Sequence, residues 1–329
     1  MKAYVTLRTA SLPELRERVR WLEGLGVTGV LLSDHLFIRR PGTSRSEARR
    51  SLEPMTTLAT VATLSDRLHV GTIVSNLSFL HPALVLRQFA QLAALFGGER
   101  VLAGIGAGWN RDEFEAIGMH MPGFRARMDR FEEAAYLARQ LFDHGIASVE
   151  GSQVVARDLP LSPQPAVPPR ILVGGGSDRL LDIAGRYADM LDLNGSSRSG
   201  KVSGADLPGA DARRRLSTTV ADLETSVRRV RQASEAVGRP SNAVSLSVLI
   251  GWVEFCDAAQ VPNVAARICA AAGLPPGSLE DCPYVLLGEP RQMVEALEQR
   301  RERFGLDSVV LMSAIDPQRL CDEVLPSLS

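Results

Sequence analysis

The sequence predicts an α/β protein folded as a single (β/α)8 TIM barrel spanning residues 1–329. Two irregular insertions are expected near its C-terminal mouth, at about 148–169 and 196–215. Three observations carry this. Apolar runs alternate along the whole chain with helical patterns, eight of each. The runs are continuously apolar with little alternation, as expected of strands covered on both faces. Right-handed crossovers between eight parallel strands favour closure, whereas a doubly wound sheet usually stops at about five to seven strands and carries a switch point.

The elements follow in order. Ala3 to Arg8 reads as the first strand, and Ser11 with Pro13 opens a helix by a cap and a proline pre-set for the first turn. Thr28 to Asp34 leads to a helix near Glu53 to Ser65, and "HVGTIVSN" to one from Pro82 to Phe96. "RVLAGIGAG" precedes a long helix, Arg125 to Asp143, with Met128, Phe131, Ala135, Leu137, Leu141 and Phe142 on its apolar side. "RILVGGG" runs into a helix from Asp178, and "ADMLDLN" into one from Thr218 to Val237. "AVSLSVLIG" precedes a helical stretch near Val264, and "DSVVLMS" the last helix, Pro317 to Leu325. Ser148 to Pro169 is rich in proline and expected to be irregular. Ser196 to Arg215, rich in Gly, Ser and Arg, is expected to form a mobile lid.

Composition narrows the function. Hydrophobic residues make up 45% and charged residues 23%, the balance of a soluble chain that buries a large core. A net charge of −1 gives no reason to expect nucleic acid or an anionic membrane as partner. No apolar stretch approaches the roughly 18 residues that span a bilayer, and "MKAYVTLRTASLPEL" reads as a strand, not a signal peptide. Cys256, Cys269, Cys282 and Cys321 lack CxxC spacing, so reduced thiols, a cytoplasmic location and no metal site are expected.

In a barrel the chemistry lies at the C-terminal strand ends. In turn these are Arg8 and Thr9, Asp34 and His35, Ser75 and Asn76, Gly106 to Asn110, Gly174 to Ser177, Leu193 and Asn194, Gly251 and Trp252, and Met312 and Ser313. They offer no carboxylate pair for glycoside hydrolysis and no His/Asp cluster for a catalytic metal. "GGGSD" is not a nucleophile elbow, and Arg179 also breaks the dinucleotide fingerprint. Three glycines and Ser177 running straight into a helix instead suit an anion, usually a phosphate; the plain alternative is a tight turn. The mouth, small, polar and apolar, fits a flat uncharged ring. "GIGAGWN" has a structural alternative too, as small residues packed under a helix. A lone histidine more often satisfies a loop, but His35 directly follows a strand and Asp34. On an extended strand end those two side chains point apart, so Asp34 is expected to orient the loop or ring, not to pair with His35. His69 and His81 read as structural, and His120 and His144 as loop or surface residues.

Together, "GVLLSDHL", "TIVSNLSFLHPALVLRQFAQLAAL", "VLAGIGAGWNRDEFEAIGM", "ILVGGGSDRLLDIAGRYADMLDLN" and "LLGEPRQMVEALEQRRERFGLDSVVLM" resemble the bacterial luciferase-like flavin oxidoreductases, over nearly the whole chain and in order. The resemblance implies a TIM-barrel enzyme binding coenzyme F420, or alternatively FMN, at the C-terminal mouth. Its "SDH" matches the F420-dependent branch, which places Asp34 and His35 by the reactive face of the ring. "TIVSN" matches a family bulge with a cis peptide, here Ile73–Val74, with Asn76 beyond it. Gly106, Ala107, Gly108 and Trp109 then line the site, and Gly174, Gly175, Gly176 and Ser177 hold the phosphate. One departure is that the sugar-phosphate dehydrogenases of this branch carry a glutamate at the position of Trp109, and a tryptophan where Phe37 and Ile38 stand.

The leading expectation is an F420-dependent oxidoreductase moving a hydride between deazaflavin C5 and a small organic substrate, with His35 as acid/base. The alternatives are a two-component FMNH2-dependent monooxygenase supplied by a separate reductase, and a flavin-binding protein without turnover. A homodimer is also expected.

Overall fold

A computed structural model of the chain describes residues 1–8, 11–39, 43–50, 52–195 and 210–328. Eight parallel strands form its centre: β1 (Lys2–Thr6), β2 (Gly29–Leu32), β3 (His69–Thr72), β4 (Val101–Gly106), β5 (Arg170–Gly175), β6 (Met190–Leu193), β7 (Ser245–Ile250) and β8 (Leu306–Leu311). Each pairs with its sequence neighbour, and β8 pairs with β1. The β4–β5 ladder, Arg170 opposite Leu102 through Val173 opposite Ile105, leaves no open edge. The expected barrel is what the chain forms.

Tyr4, Leu31, Leu102, Leu172, Met190, Leu249 and Val310 fill the barrel, one from most strands. A second apolar layer lies between the strands and the helices α1 (Leu12–Gly24), α2 (Pro54–Leu64), α3 (Pro82–Phe96), α4 (Phe124–His144), α5 (Asp178–Tyr187), α6 (Val220–Glu235), α7 (Pro290–Phe304) and α8 (Gln318–Glu323). The helix starts follow from capping chemistry. Ser11 caps α1, and the Glu53 carboxylate accepts the N–H groups of Met55 and Thr56 ahead of Pro54 in α2. His81 caps α3 through Nδ1, and half-buried His69 lies 6.2 Å from the Tyr4 ring, so both histidines are structural as expected. His120 and His144 are exposed.

Three expectations need correction. The stretch at 148–169 is not irregular throughout: Ile146–Glu150 and Val155–Pro160 form an antiparallel hairpin. Its first strand alternates exposed and buried residues, with Ala147 and Val149 inward, a period-two signal that the prolines obscure. The hairpin lies along the flank of α4, where the Glu133 carboxylate accepts N–H groups from Ser152, Gln153 and Val154. The second correction concerns the connection between β7 and β8. Beyond the helix near Val264, Val261–Ala272, it holds a parallel pair of short strands, Trp252–Phe255 and Val285–Gly288, and the fifteen-residue helix α7. The third concerns the last helix, which ends at Glu323, with a 3-10 turn over Leu325–Leu328. Of the expected lid, 196–209 lie outside the described residues, as does Thr9, while Ala210–Leu216 is helical.

A salt-bridge web fixes α5 against its neighbours. Glu132 of α4 accepts from Arg179 and Arg186 of α5, and Arg229 of α6 donates to Asp178 and Asp182. These pairs are partly exposed, so each contributes little alone, about 1 kcal/mol or less, but together they orient the helix that follows the glycine turn.

Between β3 and β4 the backbones approach closely at Gly104. A Cβ there would stand 1.8 Å from the Thr72 carbonyl oxygen, while the Thr72 hydroxyl donates to the Gly104 carbonyl. Gly104→Ala is therefore expected to cost at least about 3 kcal/mol in urea unfolding, at the upper end of overpacking effects. A variant as stable as the parent would contradict this contact.

Candidate active site

The end of β2 sends consecutive side chains to different partners. The Asp34 carboxylate accepts the Asn76 backbone N–H at 3.0 Å, tying the β2 loop to the end of the third strand. Burial raises the Asp34 pKa above the ordinary carboxylate value, opposed by that N–H. His35 turns instead to Glu113, its Nδ1 lying 3.2 and 3.1 Å from the two carboxylate oxygens. The side chains diverge as the extended strand end requires.

Glu113 is 1% exposed. Its Oε1 also accepts the backbone N–H of Leu36 at 2.6 Å and of Phe37 at 3.3 Å. The preceding residue does parallel work, since Asp112 accepts from Arg39 and Arg45, each at 2.7 Å. Burial acts to raise the Asp112 pKa, but the hydrogen bonds from Arg45 and Arg39 outweigh it and hold the carboxyl below its ordinary range. Two adjacent acids in the short helix Arg111–Ala116 thus tie Leu36, Phe37, Arg39 and Arg45 of the β2 loop to the loop after β4. Reading strand ends missed Glu113, because it sits three residues past Asn110, inside a helix. The available signal was a pair of acids in a helix following the glycine-rich strand end, with His and Arg in the preceding loop.

The floor of the mouth is built around Val74. The Ile73–Val74 peptide is cis, as expected. From Gly71 to Ser75 the third strand advances four residues while its partner advances three, Leu102 to Ile105, so one extra residue bulges out. A Cβ on Gly106 would lie 2.3 Å from one Val74 methyl, and a Cβ on Gly174 would lie 3.2 Å from the other. The valine occupies the space that these two glycines leave. With half-buried Ile73, Gly174 and Met312 it makes an apolar floor packed on the inner barrel cluster. Gly108, at φ +73°, packs on the Asn76 amide; Asn76 Oδ1 accepts from Ser78 N, and Ser78 Oγ donates to the Ala107 carbonyl. Trp109 is 60% exposed and meets His35 edge-on, with ring centroids 5.5 Å apart.

Across the mouth, the turn Gly174 to Ser177 is half-buried and leads directly into α5, with Ser177 as N-cap. Two of its glycines have structural reasons. Gly175 has φ +145°, which disfavours any side chain, and a Cβ on Gly176 would stand 1.8 Å from the Gly195 carbonyl oxygen. The structure therefore brings Asp34, His35, Ile73, Val74, Asn76, Gly106, Ala107, Gly108, Trp109 and Gly174 to Ser177 to one end of the barrel.

Sequence reasoning also missed Asp192, two residues beyond Met190 on β6 and fully buried. Its Oδ1 accepts from Ser247 Oγ at 2.9 Å, and its Oδ2 has no hydrogen-bond partner among the described residues. Nearby, buried Tyr284 accepts the Gly195 N–H through its hydroxyl. Burial pushes the Asp192 pKa up to about 7, against 3.8 for an ordinary carboxyl, so the folded chain holds this proton more tightly than the unfolded one. The stability linked to that proton is complete below the unfolded value and is lost as pH rises through the folded one. Asp192→Asn cannot ionise. Its stability relative to the parent should therefore rise between about pH 4 and pH 8, by up to about 4 kcal/mol, in parallel thermal melts. A difference that stays flat with pH would contradict the raised value.

Comparison with known proteins agrees with this architecture. The model of the family described as luciferase-like monooxygenase matches residues 2–308. Over 203 residues the chain is 29% identical to the pyrimidine monooxygenase RutA of Escherichia coli K12, covering 61% of this chain and 47% of that protein. The chain thus spans about half the length of the curated relatives it matches. Among solved structures, an F420-dependent secondary alcohol dehydrogenase in complex with an F420–acetone adduct superposes with a TM-score of 0.73 at 16% identity, covering 100% of this chain and 98% of that one. Monooxygenase RslO1 from Streptomyces bottropensis superposes at 0.69 with 19% identity, covering 100% of both. At such identities the structural likeness establishes the fold. The match across residues 2–308 establishes the family: this chain is an enzyme of the luciferase-like monooxygenase family.

Proposed function

We propose that this enzyme is an F420-dependent oxidoreductase acting on a small organic substrate. The observation that carries the reading is the pairing of an apolar floor at Val74 with a single imidazole, His35, held at the adjacent strand end. The floor suits a flat uncharged ring, since Gly106 and Gly174 put no side chain of their own over it. Asp34 and Asn76 would border that ring, Ala107, Gly108 and Trp109 would line it, and the backbone from Gly174 to Ser177 would hold the phosphate at the start of α5. When bound, the deazaflavin supplies hydride transfer at C5.

The chain's own residues supply the rest. Hydride transfer to or from a carbonyl or conjugated alkene builds charge that needs a proton donor or acceptor. His35 provides one, and Trp109 beside it shields the imidazole with an apolar edge. Asp34 holds the loop in place through Asn76. Trp109 stands where the sugar-phosphate dehydrogenases of the resembling branch have glutamate, which favours a substrate less polar than a sugar phosphate.

A second reading, an FMNH2-dependent monooxygenase fed by a separate reductase, is favoured by the sequence match to a pyrimidine monooxygenase. Fluorescence titration of the purified protein with F420 and with FMN decides between them. The first reading expects F420 to bind at least about tenfold more tightly, or about 1.4 kcal/mol; tighter FMN binding would reverse the order. With a substrate in hand, His35→Ala should lower kcat by roughly 10²–10⁴ while leaving cofactor affinity in place. Equal losses in binding and turnover would reduce His35 to a residue that packs beside the cofactor.

A further inference from the structure

Glu113 anchors the β2 loop and meets His35, yet its geometry is more specific than loop anchoring requires. A carboxylate only accepts hydrogen bonds, and an imidazole nitrogen can either donate or accept, depending on the tautomer. Three groups converge on this carboxylate within 3.3 Å. Two of them, the backbone N–H groups of Leu36 and Phe37, are donors whatever the protonation state, and both reach Oε1. The third is His35 Nδ1, which straddles the carboxylate edge, 3.1 Å from Oε2 and 3.2 Å from Oε1. Glu113 is almost completely buried, and His35 Nδ1 is the group placed to serve Oε2. A buried charged oxygen left without a donor is costly, so the ring should present N–H at Nδ1.

We propose that Glu113 is a positioning residue that fixes His35 as the Nδ1–H tautomer, leaving Nε2 as the one ring nitrogen that exchanges a proton with substrate. This rests on the reading of His35 as the proton-transfer group, but the tautomer is a property of the free protein. The same carboxylate also fixes the backbone on the C-terminal side of the histidine. Ring orientation, tautomer and loop position therefore depend on one side chain, which the chain supplies from the helix after β4.

The geometry makes a directional prediction for the isosteric amide. In Glu113→Gln the side-chain oxygen should stay where two backbone N–H groups meet it, which places the amide NH2 at the former Oε2 position, facing Nδ1. An NH2 donates, so it favours a ring that accepts at Nδ1 and carries its proton on Nε2, against the Nδ1–H that the remaining oxygen 3.2 Å away can still accept. The substitution should shift the tautomer population toward Nε2–H.

The test is 15N NMR of the histidine side chains in the apoprotein, read on the high-pH plateau of a pH series where the ring shifts no longer change. His35 is assigned by its loss in His35→Ala. The expected parent spectrum has the protonated-type resonance at Nδ1 and the bare type at Nε2, and Glu113→Gln moves both shifts toward the opposite assignment. A parent ring protonated at Nε2 overturns the proposal, as does a Glu113→Gln ring whose tautomer population is the same as the parent's. If the variant fails to fold, the parent spectrum alone decides. Neither cofactor nor substrate is needed, so this result is separate from the His35→Ala turnover test. With a substrate available, Glu113→Gln should also lower kcat by roughly 10²–10⁴ with KM little changed.

Discussion

Closure of the barrel between β4 and β5 is the constraint on which the rest of this structure depends. Once Leu102 to Ile105 pair with Arg170 to Val173, every strand has two neighbours, and the interior has room only for the residues that the strands themselves project inward. Tyr4, Leu31, Leu102, Leu172, Met190, Leu249 and Val310 take that space near the middle. Toward the C-terminal end the strands meet glycine instead of larger side chains. The close approach of Gly104 to Thr72, and of Gly106 and Gly174 to Val74, follows from that crowding. The bulge that sets Val74 on the floor is thus a product of register between two particular strands, not of a local preference for valine.

The mouth is held by polar chemistry that the barrel alone would not provide. Loops after β2, β3 and β4 could move independently. Here they are laced together by Asp34 on Asn76, Asn76 on Ser78, Ser78 on Ala107, and the adjacent acids Asp112 and Glu113 on the β2 loop. Each bond is of modest strength, but several are buried or half-buried and together they define one arrangement. The next segment of the rim, after β5, is held differently. Gly175 and Gly176 follow the path that a positive φ and the neighbouring Gly195 carbonyl allow, and arginine–carboxylate pairs then fix α5. One side of the mouth therefore carries titratable chemistry, and the other presents bare backbone at a helix start. That division is the one on which the proposed reading of the site rests.

Much of this was determined by the sequence itself. Parallel, doubly covered strands show as continuous apolar runs, and helix starts show as caps with proline, because both signals are local. The same holds for the strand ends, so His35, Asp34, Asn76 and the glycine turns could be placed at one mouth once a barrel was inferred, while Val74 came from the family resemblance. The hairpin at Ile146–Pro160 and the unit between β7 and β8 were legible less well. Prolines hid the period of the first, and two short strands that pair only with each other carry little periodic signal. What tertiary structure alone decided was which side chains meet. Glu113 and His35 are far apart in the chain and lie on different element types, and no periodicity links them. Asp192 looks like one polar residue in an apolar strand until closure of the barrel removes it from water and raises its pKa. Burial and pairing depend on the positions of strands and helices distant in sequence. The local pattern fixes where a residue lies along its own element, and only the assembled barrel fixes what it faces.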